Sequence, residues 1–108
     1  MPMRALAASA LIVLSLAGCG SSGPACADRT TLTGVILDVE SRTLTDVRGF
    51  TLRSEGEECE ILIDPDRRYG FALPHLNEHR ISADPVRVQV EVRDDELVAL
   101  SIEDAPRS

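Results

Sequence analysis

The chain has no lysine and no tryptophan, and only three of its 108 residues are aromatic: Phe50, Tyr69 and Phe71. Proteins that bind single-stranded nucleic acid stack bases on aromatic side chains along a positively charged groove. This chain has a formal net charge of -7, so its surface repels phosphate backbones. The composition therefore argues against nucleic-acid binding.

The motifs of nucleophilic and redox catalysis are also missing. The sequence contains neither a Gly-x-Ser-x-Gly elbow nor a glycine-rich phosphate-binding loop. It has no Cys-x-x-Cys pair, so a thioredoxin-like redox site and a zinc ribbon have no support. The acidic runs at residues 55–60 and 94–96 lack the alternating Asp and Asn ligands of a calcium loop. We therefore expect no enzyme and no cofactor.

The N-terminus has the layout of an export signal. Arg4 precedes an apolar run, residues 5–17, that only two serines interrupt. This run is shorter than the roughly 20 residues that a permanent membrane-spanning helix needs. We therefore expect residues 1–18 to be removed. The loss of Arg4 with them makes the remaining chain one charge more negative.

Leu16-Ala17-Gly18-Cys19 follows the apolar run and decides between two kinds of export signal. The motif resembles the lipobox of bacterial lipoproteins; a plain secretory signal is the alternative. In that family a diacylglyceryl group is joined to the cysteine thiol, the chain is cut directly before the cysteine, and the new amino group is often acylated. The resemblance implies that lipid on Cys19 holds the protein to a cell membrane on the extracytoplasmic side, at the cell surface or in the periplasm.

Lipidation of Cys19 leaves one pair of cysteines, Cys26 and Cys59. Disulfides form and persist outside the cytoplasm, so a bridge between these two is the natural arrangement. The alternative places Cys26 in a disordered tether and Cys59 as a buried thiol in a strand. Residues 19–29 are small and polar, which predicts a flexible tether before a single small domain at residues 30–108.

Alternation of apolar and polar residues predicts five strands, and Pro74 predicts the start of a helix of about two turns. The predicted strands cover residues 31–40, 50–53, 59–63, 86–93 and 98–102. Each strand has an apolar face: Cys59, Ile61 and Ile63 line that of the third, and Val86, Val88, Val90 and Val92 alternate with polar residues in the fourth. In the first strand the face consists of Thr33, Val35, Leu37 and Val39, with Ile36 as the exception. In the last strand it consists of Val98, Leu100 and Ile102.

Three strands, one short helix and two further strands resemble an OB-fold, a mainly β, five-stranded barrel in which a helix commonly lies between strands three and four. Gly34 supports this fold, because the first strand of such a barrel bends sharply to pair on both sides, and glycine permits a bulge there. Another small β-barrel or β-roll is the alternative.

An OB-like barrel usually binds its ligand on strands two and three, together with the loops after strands one and four. In this chain that face offers Thr51, Arg53, Glu60 and Leu62, with Arg48 and Asp94 nearby. The face is mixed in charge and lacks aromatic residues, which favours an envelope protein or peptide as the partner over a sugar or nucleic acid. We expect a non-catalytic binding or envelope-assembly module. The alternative for this face is an ordinary polar sheet surface that binds no ligand.

His75-Leu76-Asn77-Glu78-His79 has metal-ligand spacing. It resembles the His-x-x-Glu-His string of inverted zinc peptidases, in which two histidines one helical turn apart bind zinc. Those enzymes are large and hold the string in a long buried helix, whereas the helix predicted here is short. We expect two solvated histidines on its polar face. The alternative function is a metal-binding lipoprotein that uses His75 and His79.

Overall fold

The computed structural model describes residues 23–106. The predicted export signal and the lipobox with Cys19 lie outside the described residues. The bounds of the elements are β1 Thr31–Ser41, β2 Val47–Ser54, β3 Glu57–Leu62, α1 His75–Ser82, β4 Val86–Arg93 and β5 Glu96–Asp104. This confirms the predicted fold class: a mainly β protein whose five strands close into an OB-like barrel, with a short helix between β3 and β4.

The strands follow the order β1-β2-β3-β5-β4 around the barrel, which closes where β4 pairs with β1. All neighbours are antiparallel except β3 and β5. The β2–β3 and β4–β5 hairpins have two-residue turns, and each central residue of these turns has a positive φ angle. Such turns match the right-handed twist of the strands they join.

β1 changes its partner at Gly34. Residues 31–34 pair with β4, and residues 35–41 pair with β2. A Cβ atom on Gly34 would lie 2.0 Å from the backbone oxygen of Arg53, so a glycine is required where the two backbones approach each other. The bulge itself lies further along, where the register shifts between Ile36 and Asp38. Gly34 therefore permits the close approach of the β1 and β2 backbones, and it is not part of the bulge that was predicted there.

The predicted apolar face of β1 was wrong. Leu32 and Ile36 are the fully buried residues of the strand, at 0% and 1% exposure, whereas Thr33 is exposed. Leu37 has no partner in β2, and this extra residue reverses the alternation. Only beyond it does a residue of the predicted face, Val39, pack against the core.

The predicted apolar face of β5 was wrong as well, and the cause is a similar irregularity in strand pairing. Leu97, Ala99 and Ile102 belong to the core, whereas Val98 is buried outside the core cluster and Leu100 is half-buried. The register of β4 with β5 shifts at Leu100, which has no partner residue. A shift of one residue moves every following side chain to the opposite face of a strand.

Tyr69 fixes the loop that leads from β3 into α1. Its hydroxyl donates to the backbone oxygen of Ala99 at 2.9 Å and accepts the backbone N–H of Asp64 at 2.8 Å. Burial raises the pKa of Tyr69 above its ordinary value. The N–H of Asp66 and the Arg93 guanidinium hold the pKa of the Asp64 carboxyl below its usual range.

A disulfide joins Cys26 to Cys59, as predicted. Both cysteines are buried, at 2% and 0% exposure, so the bridge fixes the turn around Cys26 against β3. Arg29 adds ion pairs to Glu55 at 2.9 Å and to Glu57 at 3.1 Å. The folded structure therefore includes residues that were assigned to the tether at residues 19–29.

Candidate functional site

Pairing of β2 with β3 brings together four of the six residues predicted for the binding face and its surroundings. Thr51 lies directly opposite Glu60, and Leu62 lies opposite Gly49, the neighbour of Arg48. Arg48, Thr51, Glu60 and Leu62 all line one small cavity on this face. The predicted surface is therefore concave.

A larger cleft of about 350 Å³ adjoins this cavity and is termed the β2–β3 cleft. Three parts of the chain line it: the two strands, the turn around Cys26, and the β4–β5 hairpin. Its lining residues are Arg48, Glu58, Glu60 and Leu62 from the strands, Pro24 and Ala25 from the turn, and Asp95, Glu96 and Leu97 from the hairpin and its end. Arg53 and Asp94, the other two predicted residues, lie outside the cleft.

The turn around Cys26 was not among the parts of the chain predicted for this face, whereas the β4–β5 hairpin is the predicted loop after strand four. Pro24 and Ala25 reach the cleft because the disulfide holds the adjoining Cys26 against β3. The predicted pairing of Cys26 with Cys59 could have revealed the contribution of the turn, because Cys59 lies in β3, a strand that lines the cleft. The hairpin contributes because β5 pairs with β3 in parallel, at Ile61 and Leu62.

The β2–β3 cleft carries an excess of negative charge. Arg48 supplies its positive charge, but its guanidinium lies 2.9 Å from the carboxylate of Glu40. Glu58 is 3.5 Å from the guanidinium of Arg53. Within residues 23–106, three carboxylates of the cleft have no ion-pair partner within 4.0 Å: Glu60, Asp95 and Glu96. The cleft is therefore suited to a positively charged ligand.

The two predicted histidines lie elsewhere, on α1. Pro74 is the N-cap residue of this helix, and the helix begins at His75. His75 is half-exposed, but His79 is only 5% exposed, so the expectation of two solvated histidines is wrong for His79. The fold places Asp104, at the end of β5, beside both rings. Local sequence patterns did not point to this carboxylate, because it lies 25 residues beyond His79.

No family model, curated protein or solved structure matches the chain. Across the described residues 23–106, the structure contains no helix with the length and apolarity needed to cross a membrane.

Proposed function

We propose that the mature protein is a lipid-anchored, non-catalytic binding or envelope-assembly module. Lipid on Cys19 holds it to the extracytoplasmic side of a cell membrane. The barrel binds a positively charged segment of an envelope protein or peptide in the β2–β3 cleft. The lipobox Leu16-Ala17-Gly18-Cys19 supports the anchor, and the form and charge of the cleft support the partner class.

The observation that carries the binding proposal is the combination of concavity, apolar surface and unpaired carboxylates in one cleft. Leu62 and Pro24, both partly exposed, provide apolar surface, and Glu60, Asp95 and Glu96 provide charge that no ion pair of the described residues neutralises. A basic peptide complements both features, because its aliphatic stems pack on this apolar surface while its charged groups meet the carboxylates. A phosphate backbone would be repelled.

The position of the cleft limits where the partner is found. Pro24 lines the cleft and follows Cys19 by only five residues. An extended chain of this length spans at most about 18 Å. The edge of the cleft therefore stays close to the attached lipid, which favours a partner that lies in or on the same membrane.

Site-specific photo-crosslinking in intact cells tests this proposal. A photoreactive residue at Glu58, inside the cleft, is expected to form a defined adduct with an envelope protein. The matched control carries the photoreactive residue at Gln89, which is exposed on β4, a strand that does not neighbour β3. Adding Glu60→Lys and Glu96→Lys to the Glu58 probe should lower the adduct yield at least fivefold, because both changes repel a basic segment.

Salt provides a second readout, since the Debye length falls from about 10 Å at 0.1 M to about 3 Å at 1 M ionic strength. In isolated membranes, the adduct yield from the Glu58 probe should fall as salt rises. Equal adduct yields from Glu58 and Gln89, or a yield that charge reversal leaves unchanged, would contradict binding of a basic partner in the cleft.

A further inference from the structure

Two imidazole rings and one carboxylate meet where α1 contacts the end of β5. His75 and His79 are one helical turn apart, and their ring centroids are separated by 4.7 Å. The Nε2 atom of His79 lies 2.7 Å from Oδ1 of Asp104, and Nε2 of His75 lies 3.8 Å from the same oxygen. One oxygen atom is thus shared by two rings.

The hydrogen-bond partner of Nδ1 determines which nitrogen of the His79 ring carries a proton. Its Nδ1 atom lies 2.8 Å from the backbone oxygen of Asp84. A carbonyl oxygen only accepts hydrogen bonds, so Nδ1 carries a proton. The other nitrogen, Nε2, faces Asp104: it donates to that carboxylate when it also carries a proton, and offers its lone pair on the same side when a cation takes the place of that proton.

His75 is oriented in the same way. Its Nδ1 atom lies 2.5 Å from Oε1 of Glu78, three residues further along α1. Since an ionised carboxylate only accepts hydrogen bonds, Nδ1 is again the protonated nitrogen and Nε2 has the lone pair. Histidine ligands of metal ions are almost always held this way, with the second nitrogen donating to a carboxylate or a backbone carbonyl.

A purely structural contact does not account for this arrangement. A hydrogen bond from His79 to Asp104 suffices to hold α1 against β5, and it uses one ring and one carboxylate oxygen. It leaves unexplained why Glu78 orients His75 so that a second Nε2 faces the same oxygen. A cation bound between the three groups accounts for both rings, because each then offers a lone pair to it.

We propose that His75, His79 and Asp104 form a binding site for a divalent metal ion of the zinc class. Imidazole nitrogen and carboxylate oxygen are ligands that Zn²⁺ accepts, and three protein ligands leave one tetrahedral position open. The ligand atoms of the three residues lie within 4.8 Å of one another. With bonds of about 2.0–2.1 Å, tetrahedral zinc holds its ligand atoms about 3.3 Å apart. The two measured distances to Asp104, 2.7 Å and 3.8 Å, lie on either side of this value.

Calorimetric titration of the mature chain, extracted in detergent and freed of metal, with ZnCl₂ tests this site. We expect one ion per chain for the unaltered protein. His75→Gln and Asp104→Asn each remove one ligand, and each should weaken zinc binding at least tenfold. Glu78→Gln removes the group that orients His75, and such partners typically contribute 10- to 100-fold to metal affinity. His79 stays unaltered, because replacing a buried ring also perturbs the fold.

The matched control is Asp28→Asn, which makes the same chemical change as Asp104→Asn at an exposed carboxylate outside the cluster. It should leave zinc affinity within twofold of the unaltered protein. The pair Glu60→Gln and Glu96→Gln should also leave it unchanged, which separates this site from the β2–β3 cleft. Absence of zinc binding to the unaltered chain would overturn the proposal. Equal affinity of the His75→Gln and Asp104→Asn variants and the unaltered protein would overturn it as well.

Discussion

Replacing Cys26 and Cys59 together by serine is expected to lower the free energy of unfolding by about 3–4 kcal/mol. The two cysteines are 33 residues apart, and a bridge across such a loop removes much of the conformational freedom of the unfolded chain. For a domain of this size the loss corresponds to a fall in Tm of roughly 15 °C or more. Chemical and thermal denaturation of the mature chain measure both quantities.

The matched control is Cys19→Ser, which removes the third cysteine of the chain. This change abolishes the predicted lipid site but should leave the stability of the barrel unaltered. Reduction of the unaltered protein should reproduce the effect of the double serine variant. A loss below about 1 kcal/mol would contradict the role given to the bridge, since it is well outside the range typical for native disulfides.

The bridge also has a functional consequence. Pro24 and Ala25 line the β2–β3 cleft next to Cys26. Without the bridge this side of the cleft is no longer fixed against β3. The adduct yield from the Glu58 photo-probe is therefore expected to fall in the double serine variant even at temperatures where the barrel remains folded.

Gly34→Ala is the second substitution for which we expect a large effect, a loss of about 3 kcal/mol of stability or more. The added Cβ would lie 2.0 Å from the backbone oxygen of Arg53 and 3.1 Å from Cα of Ser54. Both neighbours are backbone atoms of β2, so no side chain can rotate away. The strands must separate at the point where β1 passes from β4 to β2, and denaturation of the purified variant measures the loss.

Gly70→Ala is the control for this substitution. Gly70 has a φ angle of 66°, and an added Cβ there would meet nothing within 4 Å. The change therefore carries only the penalty of a left-handed conformation, about 1–2 kcal/mol. If Gly34→Ala proved no more destabilising than Gly70→Ala, the close approach of β1 and β2 would not be a determinant of the fold.

The order of elements was predictable because each strand has a local signal. The alternation of valines with polar residues predicted β4 with both of its observed ends, Val86–Arg93. Acidic turn residues with glycine predicted the hairpin at Glu55 and Gly56. Such signals depend on a few neighbouring residues and need no knowledge of the rest of the chain.

The faces of β1 and β5 were not predictable in the same way. Leu37 and Leu100 are the residues without a partner, and neither differs in type from its apolar neighbours. A bulge depends on how two strands fit around the whole barrel, so the strand that contains it has no distinct residue pattern. Period-two alternation then assigns the wrong face to every residue on one side of the bulge.

The candidate site was predictable in the part that comes from neighbouring strands and from the loop after strand four. Arg48, Glu60 and Leu62 followed from an OB-like order of elements, because that order fixes which strands are adjacent. Asp104 and the burial of His79 depend on the end of β5 returning to α1, which is a tertiary contact. Local sequence patterns contain no information about such a contact.

Intact mass spectrometry of the protein extracted from its native membrane tests lipid anchoring and disulfide pairing together. We expect the mass of residues 19–108 plus acyl chains. We also expect Cys26 and Cys59 to resist alkylation until the protein is reduced. A soluble species without lipid, or thiols that react with the alkylating reagent before reduction, would contradict a lipid-anchored, disulfide-linked binding module.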